Sequence, residues 1–352
     1  MRENHRKVLV TGGTGLVGSH LLYSLIRAGE KPVAIFRNRG RKDFVRKVFG
    51  YYSPQPDELF KAIDWTEADM LDYESLRKAV NGCDRVYHCA ASVSFDSSQN
   101  EAVISNNTSG TANMVKACLE TGTGKLCHVS STAALGATDG SGLTDETHEW
   151  SVAGHNTAYG ISKHLSEKEV WKGISMGLEA VIVNPSVIFG PGDWNRGSSR
   201  FFSTVARGMP FYTDGVTGYV DVRDVVKSMM DLMNSPVTGE RFIISSENLS
   251  FQEVFMMIAE SLGVRRPFIR VPKILLSPAA ALLNLPGKIT GRKSGVTPEN
   301  IKSAYSRVRF DNSKIIRTTG ISFIPVKQSV EETAGYFLRD RRNKNRGRTR
   351  GK

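Results

Sequence analysis

The sequence predicts an α/β fold, in which helices cover both faces of a doubly wound parallel sheet and a smaller lobe follows toward the C-terminus. Two observations predict this architecture. Short apolar runs rich in β-branched residues alternate with amphipathic stretches from residue 7 to about residue 185, which is the pattern of repeated strand–helix–strand units. The chain also has 352 residues, more than one compact core usually holds.

The first strand–helix–strand unit is predicted near the N-terminus. Lys7–Thr11 is a β-branched run, residues 19–28 carry apolar side chains at helical spacing, and residues 32–36 form a second apolar run. These pieces span about 30 residues, the size of one crossover unit. The alternation continues, with strands near residues 85–89, 125–130 and 179–183, and helices near residues 73–80, 107–120 and 159–172.

After residue 185 the alternation becomes irregular. A strand that enters a helix is predicted at residues 218–226, a further sheet strand at 241–244, and mostly helical segments from Ser250 onward. These features divide the chain into a larger domain of residues 5–185 plus 218–247, a smaller lobe of residues 186–217 plus 248–335, and a basic tail of residues 336–352.

The composition is typical of an intracellular globular protein. Apolar residues make up 40% and charged residues 23% of the chain. The four cysteines show neither CxxC nor CxxH spacing, so the sequence predicts no metal site and no disulfide framework. No run approaches the roughly 18 apolar residues that cross a bilayer, and residues 1–7 lack the features of a signal peptide. We therefore expect a cytoplasmic protein.

The positive charge is concentrated at the C-terminus. The net charge is +12, and residues 339–352 hold eight Lys or Arg residues against a single acid, Asp340. Such a segment has no apolar face to bury, so a disordered tail is predicted. Its charge would allow contact with nucleic acid or an anionic membrane. A solvated end that aids solubility is the favoured interpretation.

A glycine-rich turn follows the first predicted strand. Residues 11–18 read TGGTGLVG, between a strand and a helix. Gly12 permits the tight turn, Gly15 lets the backbone approach a pyrophosphate, and Gly18 allows close helix–strand packing. The pyrophosphate would lie at the helix N-terminus. The pattern predicts a Rossmann-type dinucleotide site, to which the turn also contributes Thr14, Leu16 and Val17.

The end of the second predicted strand indicates which dinucleotide is bound. Sites for NAD usually place an acid there, next to the ribose 2′-hydroxyl. Here residues 36–39 read FRNR, and the first acid is Asp43. Arg37 and Arg39 would instead attract a 2′-phosphate, although both could also be solvated loop residues. The sequence therefore favours NADP(H) over NAD(H).

Tyr159 and Lys163 open a predicted helix, and their spacing of four puts both on one face. A free tyrosine has a pKa of about 10, which is too high for proton exchange at neutral pH. A nearby ammonium would lower the pKa of Tyr159, so that it could act as a general acid or base. A carbonyl substrate also needs a hydrogen-bond donor at its oxygen. Residues 130–132, Ser-Ser-Thr, follow a predicted strand and offer such donors.

Together these motifs resemble the extended short-chain dehydrogenase/reductases, the NAD-dependent epimerase/dehydratase superfamily, over residues 7–335. The motifs that carry the resemblance are TGGTGLVG at 11–18, DMLD at 69–72, HCAA at 88–91, NTSGT at 107–111, SSTA at 130–133, YGISK at 159–163 and NPSV at 184–187. The resemblance implies a Rossmann domain that binds NAD(P) and a substrate-binding C-terminal lobe.

The resemblance also implies roles for the matched residues. Ser131 resembles the serine that holds the substrate oxygen, with Thr132 as the alternative. Tyr159 resembles the proton donor or acceptor, and Lys163 the residue that lowers its pKa and holds the nicotinamide ribose. The other matches imply an active-site asparagine at Asn107, adenine contacts at Asp69 and Met70, a wall beside the phosphates and ribose at Ala90 and Ala91, and a nicotinamide shelf from Pro185 to Val187.

Within the family, the chain looks most like the dihydroflavonol 4-reductase and 3β-hydroxysteroid dehydrogenase branch. Nucleotide-sugar epimerases and dehydratases typically carry Arg-x-x-Asn and Ser-Ser-x-x-x-Tyr-Gly, where this chain has VIVN at 181–184 and STAALG at 131–136. The resemblance implies oxidation or reduction of a ketone–alcohol pair on a bulky apolar molecule. Aromatic residues that would border such a substrate, or alternatively pack between the lobes, are Phe95, Trp194, Phe201, Phe202, Phe211 and Tyr212.

Two other functions are left open by the sequence. One is a nucleotide-sugar epimerase or dehydratase that keeps NAD tightly bound. The other, suggested by the basic tail, is a dinucleotide sensor or RNA-associated protein without catalysis, which would need neither Tyr159 nor Lys163. A small-molecule substrate is the expected partner, and a homodimer is implied by the family alone.

Overall fold

The computed structural model of the chain describes residues 7–93, 97–136, 142–151, 156–272 and 304–350. Its strands are, in chain order, β1 (Lys7–Thr11), β2 (Val33–Phe36), β3 (Asp64–Glu67), β4 (Cys83–His88), β5 (Lys125–Val129), β6 (Leu143–Thr144), β7 (Ala180–Pro185), β8 (Val187–Phe189), β9 (Phe211–Tyr212), β10 (Val216–Asp221), β11 (Glu240–Ile244), β12 (Glu247–Ser250), β13 (Ile269–Arg270) and β14 (Arg309–Phe310). Its helices are α1 (Leu16–Arg27), α2 (Lys42–Tyr52), α3 (Pro56–Lys61), α4 (Tyr73–Val80), α5 (Asn100–Thr121), α6 (Ala158–Ser175), α7 (Arg200–Val205), α8 (Val222–Asn234), α9 (Phe251–Leu262), α10 (Ser313–Thr319) and α11 (Val326–Arg350).

Seven parallel strands form the central sheet in the order β11-β7-β5-β4-β1-β2-β3. The chain runs outward from β1 to β2 and β3 on one side, and through β4 to β11 on the other. The order therefore reverses between β1 and β4, and ligands of such sheets bind at the carboxyl ends of the strands that flank this reversal. The predicted doubly wound sheet is confirmed.

Apolar cores lie on both faces of this sheet. Val8 and Val10 of β1 point to the face covered by α1, α2 and α8. Leu9, between them, points to the face covered by α4, α5 and α6. Successive side chains of a strand alternate between faces. A central strand buried on both sides is therefore apolar throughout, as residues 8–10 are.

The smaller lobe is built on a second sheet, in the order β12-β10-β8. Within it, Phe189 stacks on Tyr219 with ring centroids 5.3 Å apart. The prediction that residues 218–221 belong to the larger domain is corrected here, because β10 pairs with β8 and β12. A strand's local pattern does not show its pairing partner. The helix that follows, α8, does pack on the central sheet through Val225 and Met229.

The C-terminal segment is helical, so the predicted disorder of residues 336–352 is wrong as far as Arg350. The first of these residues are held by specific contacts. Phe337 is buried in the smaller lobe, and Arg339 lies over the rings of Tyr51 and Tyr336, each 5.2 Å away. The charge-based prediction overlooked Tyr51, an aromatic partner from a distant part of the chain. None of the helices in the described part of the chain is long and apolar enough to cross a membrane.

Candidate active site

The glycine-rich turn links the carboxyl end of β1 to α1, next to the reversal of strand order. Gly12 has a φ of +65°, and a Cβ atom there would lie 2.6 Å from the backbone nitrogen of Ala90. A Cβ at Gly18 would lie 2.3 Å from the carbonyl oxygen of Gly12. Both contacts are too short for any side chain, so the turn can form only with glycine at these two positions.

Gly15 leaves the N-terminus of α1 open to an anion. It is the N-cap residue, no side chain caps the helix, and the first turn holds no acidic residue. The N–H groups of that turn, with the positive end of the helix dipole, are therefore available to a phosphate. Leu16 and Thr14 face the same space, whereas Val17 packs partly into the core.

A groove of about 700 Å³ runs from this turn along the carboxyl ends of β1, β2, β3 and β4. The site residues predicted from the sequence that line it are Gly12, Thr14, Gly15, Leu16, Arg37, Asp69, Met70, Ala90, Ala91 and Asn107. Residues 195–200 of the loop before α7 form the opposite wall. The volume, the open helix N-terminus and the close backbone approach at Gly12 all fit a nicotinamide dinucleotide.

Two arginines line the groove beyond β2. Arg37 is exposed and lies 3.6 Å from the carboxylate of Asp69, and Arg41 lines the same wall. Arg39 instead pairs with Glu67 at 3.1 Å and does not line the groove. Sequence reasoning overlooked Arg41, although the run of basic residues from 37 to 42 was a usable signal. Two guanidinium groups are thus within reach of the adenosine end.

The loop after β3 forms the wall opposite α5. The side-chain amide of Asn113 donates to the Met70 carbonyl oxygen at 2.9 Å, and the Leu71 backbone N–H donates to Asp69 at 3.0 Å. A Cβ at Gly110 would lie 3.1 Å from the Cβ of Met70. The helix therefore approaches closely because residue 110 has no side chain, and Asp69 and Met70 are held facing the groove.

His88 fixes the segment beside the glycine-rich turn. Its Nδ1 is 2.8 Å from the hydroxyl of Thr11 and its Nε2 is 3.1 Å from the hydroxyl of Thr111. The Thr11 hydroxyl in turn accepts a hydrogen bond from the Ala90 backbone N–H at 3.1 Å. Burial lowers the pKa of His88 to about 3, so the imidazole is neutral. The sequence marked this histidine only as part of a motif.

Tyr159 lies in the first turn of α6. The helix begins where the hydroxyl of Thr157, the N-cap residue, accepts from the Gly160 backbone N–H at 3.0 Å. The side chain of Ser131 lies near the Tyr159 hydroxyl and favours a lower pKa of that group. Ser131, rather than the alternative Thr132, is therefore the partner of Tyr159.

Lys163 is one turn further along α6 and is buried. Its ammonium donates to the Val129 carbonyl oxygen at 2.8 Å, across to the end of β5. Burial lowers the pKa of Lys163 to about 8. The expectation that this ammonium lowers the pKa of Tyr159 is not met here. Burial raises the pKa of Tyr159, and the nearby Ser131 side chain only partly offsets that.

Asn107 connects the groove with the Tyr159 region. This residue of α5 is buried, and its side-chain oxygen accepts from the Ser92 backbone N–H at 2.7 Å. Its amide donates to the Ser92 carbonyl oxygen at 2.9 Å and to the Ser162 hydroxyl at 3.1 Å. The Ser162 hydroxyl donates to the Tyr159 carbonyl oxygen at 2.8 Å. Asn107 therefore fixes the groove wall and the start of α6 relative to each other.

The predicted nicotinamide shelf lies where β7 passes into β8. Pro185 is buried at the end of β7, and Val187 is half-buried at the start of β8. Neither residue lines the groove. The neighbouring Asn184 donates its side-chain amide to the Ser131 carbonyl oxygen at 3.0 Å. This bond ties the segment to the Ser131–Tyr159 pair.

The aromatic residues expected at a substrate cleft mostly pack inside the smaller lobe. Phe202 is fully buried, and Phe201 and Trp194 pack against the same core. Phe211 is half exposed on β9, next to Tyr212. Phe95 is outside the described residues. Trp194, Phe201 and Phe202 therefore pack within the smaller lobe, which differs from both sequence interpretations, a border of the substrate cleft and packing between the lobes.

Comparisons with known proteins agree with this geometry. A family model for the NAD dependent epimerase/dehydratase family matches residues 8–245. A Synechocystis sp. protein, provisionally named dihydroflavonol 4-reductase, is 28% identical over 334 residues, covering 93% of each chain. The Arabidopsis thaliana 3beta-hydroxysteroid-dehydrogenase/decarboxylase isoform 1 is 27% identical over 364 residues, covering 95% of this chain and 80% of its own. The crystal structure of gox2253 is 26% identical with a TM-score of 0.78, covering 95% of this chain and 98% of its own.

Proposed function

The chain belongs to the NAD dependent epimerase/dehydratase family, and from that premise we propose that it is an NADP(H)-dependent reductase or dehydrogenase of a ketone–alcohol pair. Its membership makes it an NAD(P)-dependent oxidoreductase of the extended short-chain type. The preference for NADP(H) and the bulky apolar substrate are the proposal. The single observation that carries it is the proximity of the Ser131 and Tyr159 side chains, in a region that Asn107 links to the dinucleotide groove through its hydrogen bond to Ser162 of α6.

The residues of this chain divide the chemistry between them. When bound, the nicotinamide supplies the hydride that adds to the carbonyl carbon, or accepts it in the reverse direction. Ser131 donates a hydrogen bond to the carbonyl oxygen, where negative charge develops. Tyr159 transfers its proton to that oxygen, which completes the alcohol. Lys163 would hold the nicotinamide ribose through its ammonium group.

The preference for NADP(H) is supported by the groove wall beyond β2. Arg37 and Arg41 line it, and residues 36–42 contain no acid that would bond a ribose 2′-hydroxyl. A 2′-phosphate would gain charge-assisted hydrogen bonds from both guanidinium groups. Asp69, 3.6 Å from Arg37, would hold that side chain toward the adenosine end.

The substrate class is supported by the relatives. One carries the name of a dihydroflavonol 4-reductase and another that of a 3beta-hydroxysteroid-dehydrogenase/decarboxylase. Both names denote chemistry at a ring carbonyl or alcohol. The Tyr-containing and Arg-containing motifs of the nucleotide-sugar branch are missing at 131–136 and 181–184.

The proposal is tested with purified full-length protein. Oxidation of NADPH and of NADH is followed separately against a panel of aromatic and steroid ketones, with UDP-sugars as the comparison substrates. We expect faster oxidation of NADPH with at least one ketone. Interconversion of UDP-sugars without net cofactor oxidation, or NAD retained in native mass spectrometry, would contradict the proposal and indicate an epimerase. Cofactor binding without any turnover would indicate a sensor.

A further inference from the structure

A carboxylate that the proposed chemistry does not use is buried one turn after Lys163. Glu167 of α6 is 2% exposed. Burial of an ionised carboxylate is costly unless hydrogen bonds and an opposite charge compensate. The groups that compensate Glu167 lead directly to the catalytic serine.

Two side chains surround Glu167. The side-chain amide nitrogen of Asn184 donates to its Oε1 at 2.5 Å, and Nη1 of Arg241 lies 3.4 Å from its Oε2. Arg241 is itself fixed, since it donates to the carbonyl oxygens of Glu146 and His148 at 2.6 and 2.9 Å. The carboxylate is therefore held from both sides by residues of β7 and β11.

Asn184 links the fixed carboxylate of Glu167 to Ser131. Its amide nitrogen also donates to the Ser131 carbonyl oxygen at 3.0 Å. Both of its neighbours, a carboxylate and a backbone carbonyl, can only accept hydrogen bonds. The Asn184 side chain therefore has one orientation, with its NH2 group toward both acceptors. Glu167 maintains this orientation as long as its carboxylate has no hydrogen-bond donor of its own.

Ser131 gains its geometry from that bond. Its carbonyl oxygen also accepts from the Ala134 backbone N–H at 2.9 Å, and its hydroxyl accepts from the Ala133 backbone N–H at 3.2 Å. These bonds set the direction of the Ser131 hydroxyl, which lies near the Tyr159 phenol. A rotation of the Ser131 peptide would move the serine relative to the phenol.

We propose that Glu167 is a positioning residue for the reaction, which acts through Asn184 to hold Ser131 against Tyr159. Glu167 does not line the groove, and we attribute its effect to geometry rather than to proton transfer. The kinetic part of this inference rests on the proposed function, whereas its structural part does not.

The test compares Glu167→Gln with the matched control Glu169→Gln, two residues along the same helix. Glutamine at 167 keeps the size of the side chain but brings an amide donor to Asn184 or Arg241. We expect kcat to fall about 10- to 100-fold, because a small displacement of a reacting group is costly. The Kd for NADPH, measured by fluorescence, should stay within about twofold. Glu169→Gln should have the kcat and the Kd for NADPH of the wild type.

Hydrogen exchange gives a readout that does not depend on turnover. The amides of Ala133 and Ala134, which are bonded to Ser131, should exchange about tenfold faster in Glu167→Gln than in the control. A variant that loses stability but keeps wild-type kcat and wild-type exchange at these amides would show a merely structural role and overturn the inference. If no substrate is turned over by the wild type, the proposed function fails while the exchange measurement still decides this inference.

A second variant covers the case in which Glu167→Gln does not fold. Asn184→Ser removes the link to Ser131 but leaves the pair of Glu167 and Arg241 in place. It should reproduce the faster exchange at Ala133 and Ala134 and the loss of kcat. Wild-type values for both quantities in Asn184→Ser would contradict the inference.

Discussion

Tyr159 is held in its protonated form by its surroundings, since burial raises the pKa of its hydroxyl. A protonated phenol beside Ser131 is the form needed to donate to a carbonyl oxygen that gains negative charge. Lys163, with its pKa lowered to about 8, still carries its charge at neutral pH. Both residues are therefore in the protonation states that the proposed reduction step would use.

Replacing Tyr159 by Phe removes the proton donor and leaves the ring in place. We expect kcat for ketone reduction to fall by about 10³-fold, within the range of lost general acid catalysis. The Kd for NADPH, measured by fluorescence titration, should stay within about twofold. Turnover at more than about a tenth of the wild-type rate would exclude Tyr159 as the proton donor.

The pKa of Lys163 predicts how reduction depends on pH. Below a pH of about 8 the amine is charged, and above it the charge is lost. Because that charge is expected to hold the nicotinamide ribose, kcat/KM should decline as the pH rises through about 8. Lys163→Met should be slower throughout and lack this decline. A wild-type profile that stays flat up to a pH of about 10 would contradict the assignment.

The segment between β2 and α2 is the element that would select the cofactor under the proposed function. Removing both guanidinium groups, as Arg37→Ala with Arg41→Ala, should raise the Kd for NADPH about tenfold and leave that for NADH within about twofold. Arg39→Ala is the control, because Arg39 pairs with Glu67 away from the groove. Titration of each variant with both cofactors checks the prediction. Equal losses for NADPH and NADH would show that the arginines do not select the 2′-phosphate.

The turn between β1 and α1 depends on the absence of a side chain at Gly18. The Cβ introduced by Gly18→Ala would lie 2.3 Å from the Gly12 carbonyl oxygen, so the helix must move away from the strand. We expect a loss of about 1–3 kcal/mol in the free energy of unfolding together with weaker NADPH binding. Gly335→Ala, on a helix with open space around it, should be neutral or slightly stabilising. Urea unfolding compares the two.

Among individual strands and helices, the sequence predicts the buried ones better than the peripheral ones. The apolar pattern of residues 8–10 and the glycines that follow define β1 and its turn, because both faces of that strand are buried. Helix α2 is not predicted, although Val45, Val48 and Phe49 recur at helical spacing. The pairing of β10 with β8 is also missed, because the local sequence of a strand does not identify the strand with which it pairs.

For the molecule as a whole, long-range polar contacts are what sequence reasoning could not supply. Asp340, interpreted from the sequence only as a lone acid in a basic tail, accepts hydrogen bonds from Trp194 at 2.7 Å and Tyr51 at 2.6 Å. It also lies 2.6 Å from the ammonium of Lys47. Glu167 and Arg241 form a similar contact between α6 and β11. No spacing along the chain indicates either one.

Neutralising Asp340 should loosen both lobes. Asp340→Asn leaves all three donors without a charged acceptor, so we expect a loss of about 1–3 kcal/mol in the free energy of unfolding. The Kd for NADPH should rise, because Trp194 adjoins the loop that forms one wall of the groove. Deletion of residues 341–352, which keeps Asp340, should change stability by less than about 0.5 kcal/mol. Equal effects of the two changes would show that the charge of the tail, and not Asp340, is responsible.

The contacts of Asp340 also affect the order in which parts of the chain can fold during synthesis. Tyr51 lies 289 residues and Trp194 146 residues before their shared acceptor. Domains generally fold from the N-terminus during synthesis, so the central sheet can assemble while α11 is still untranslated. The groove wall next to Trp194 is therefore completed last, after α11 has been synthesised. A nascent chain stalled before α11 should bind the dinucleotide with a higher Kd than the released protein.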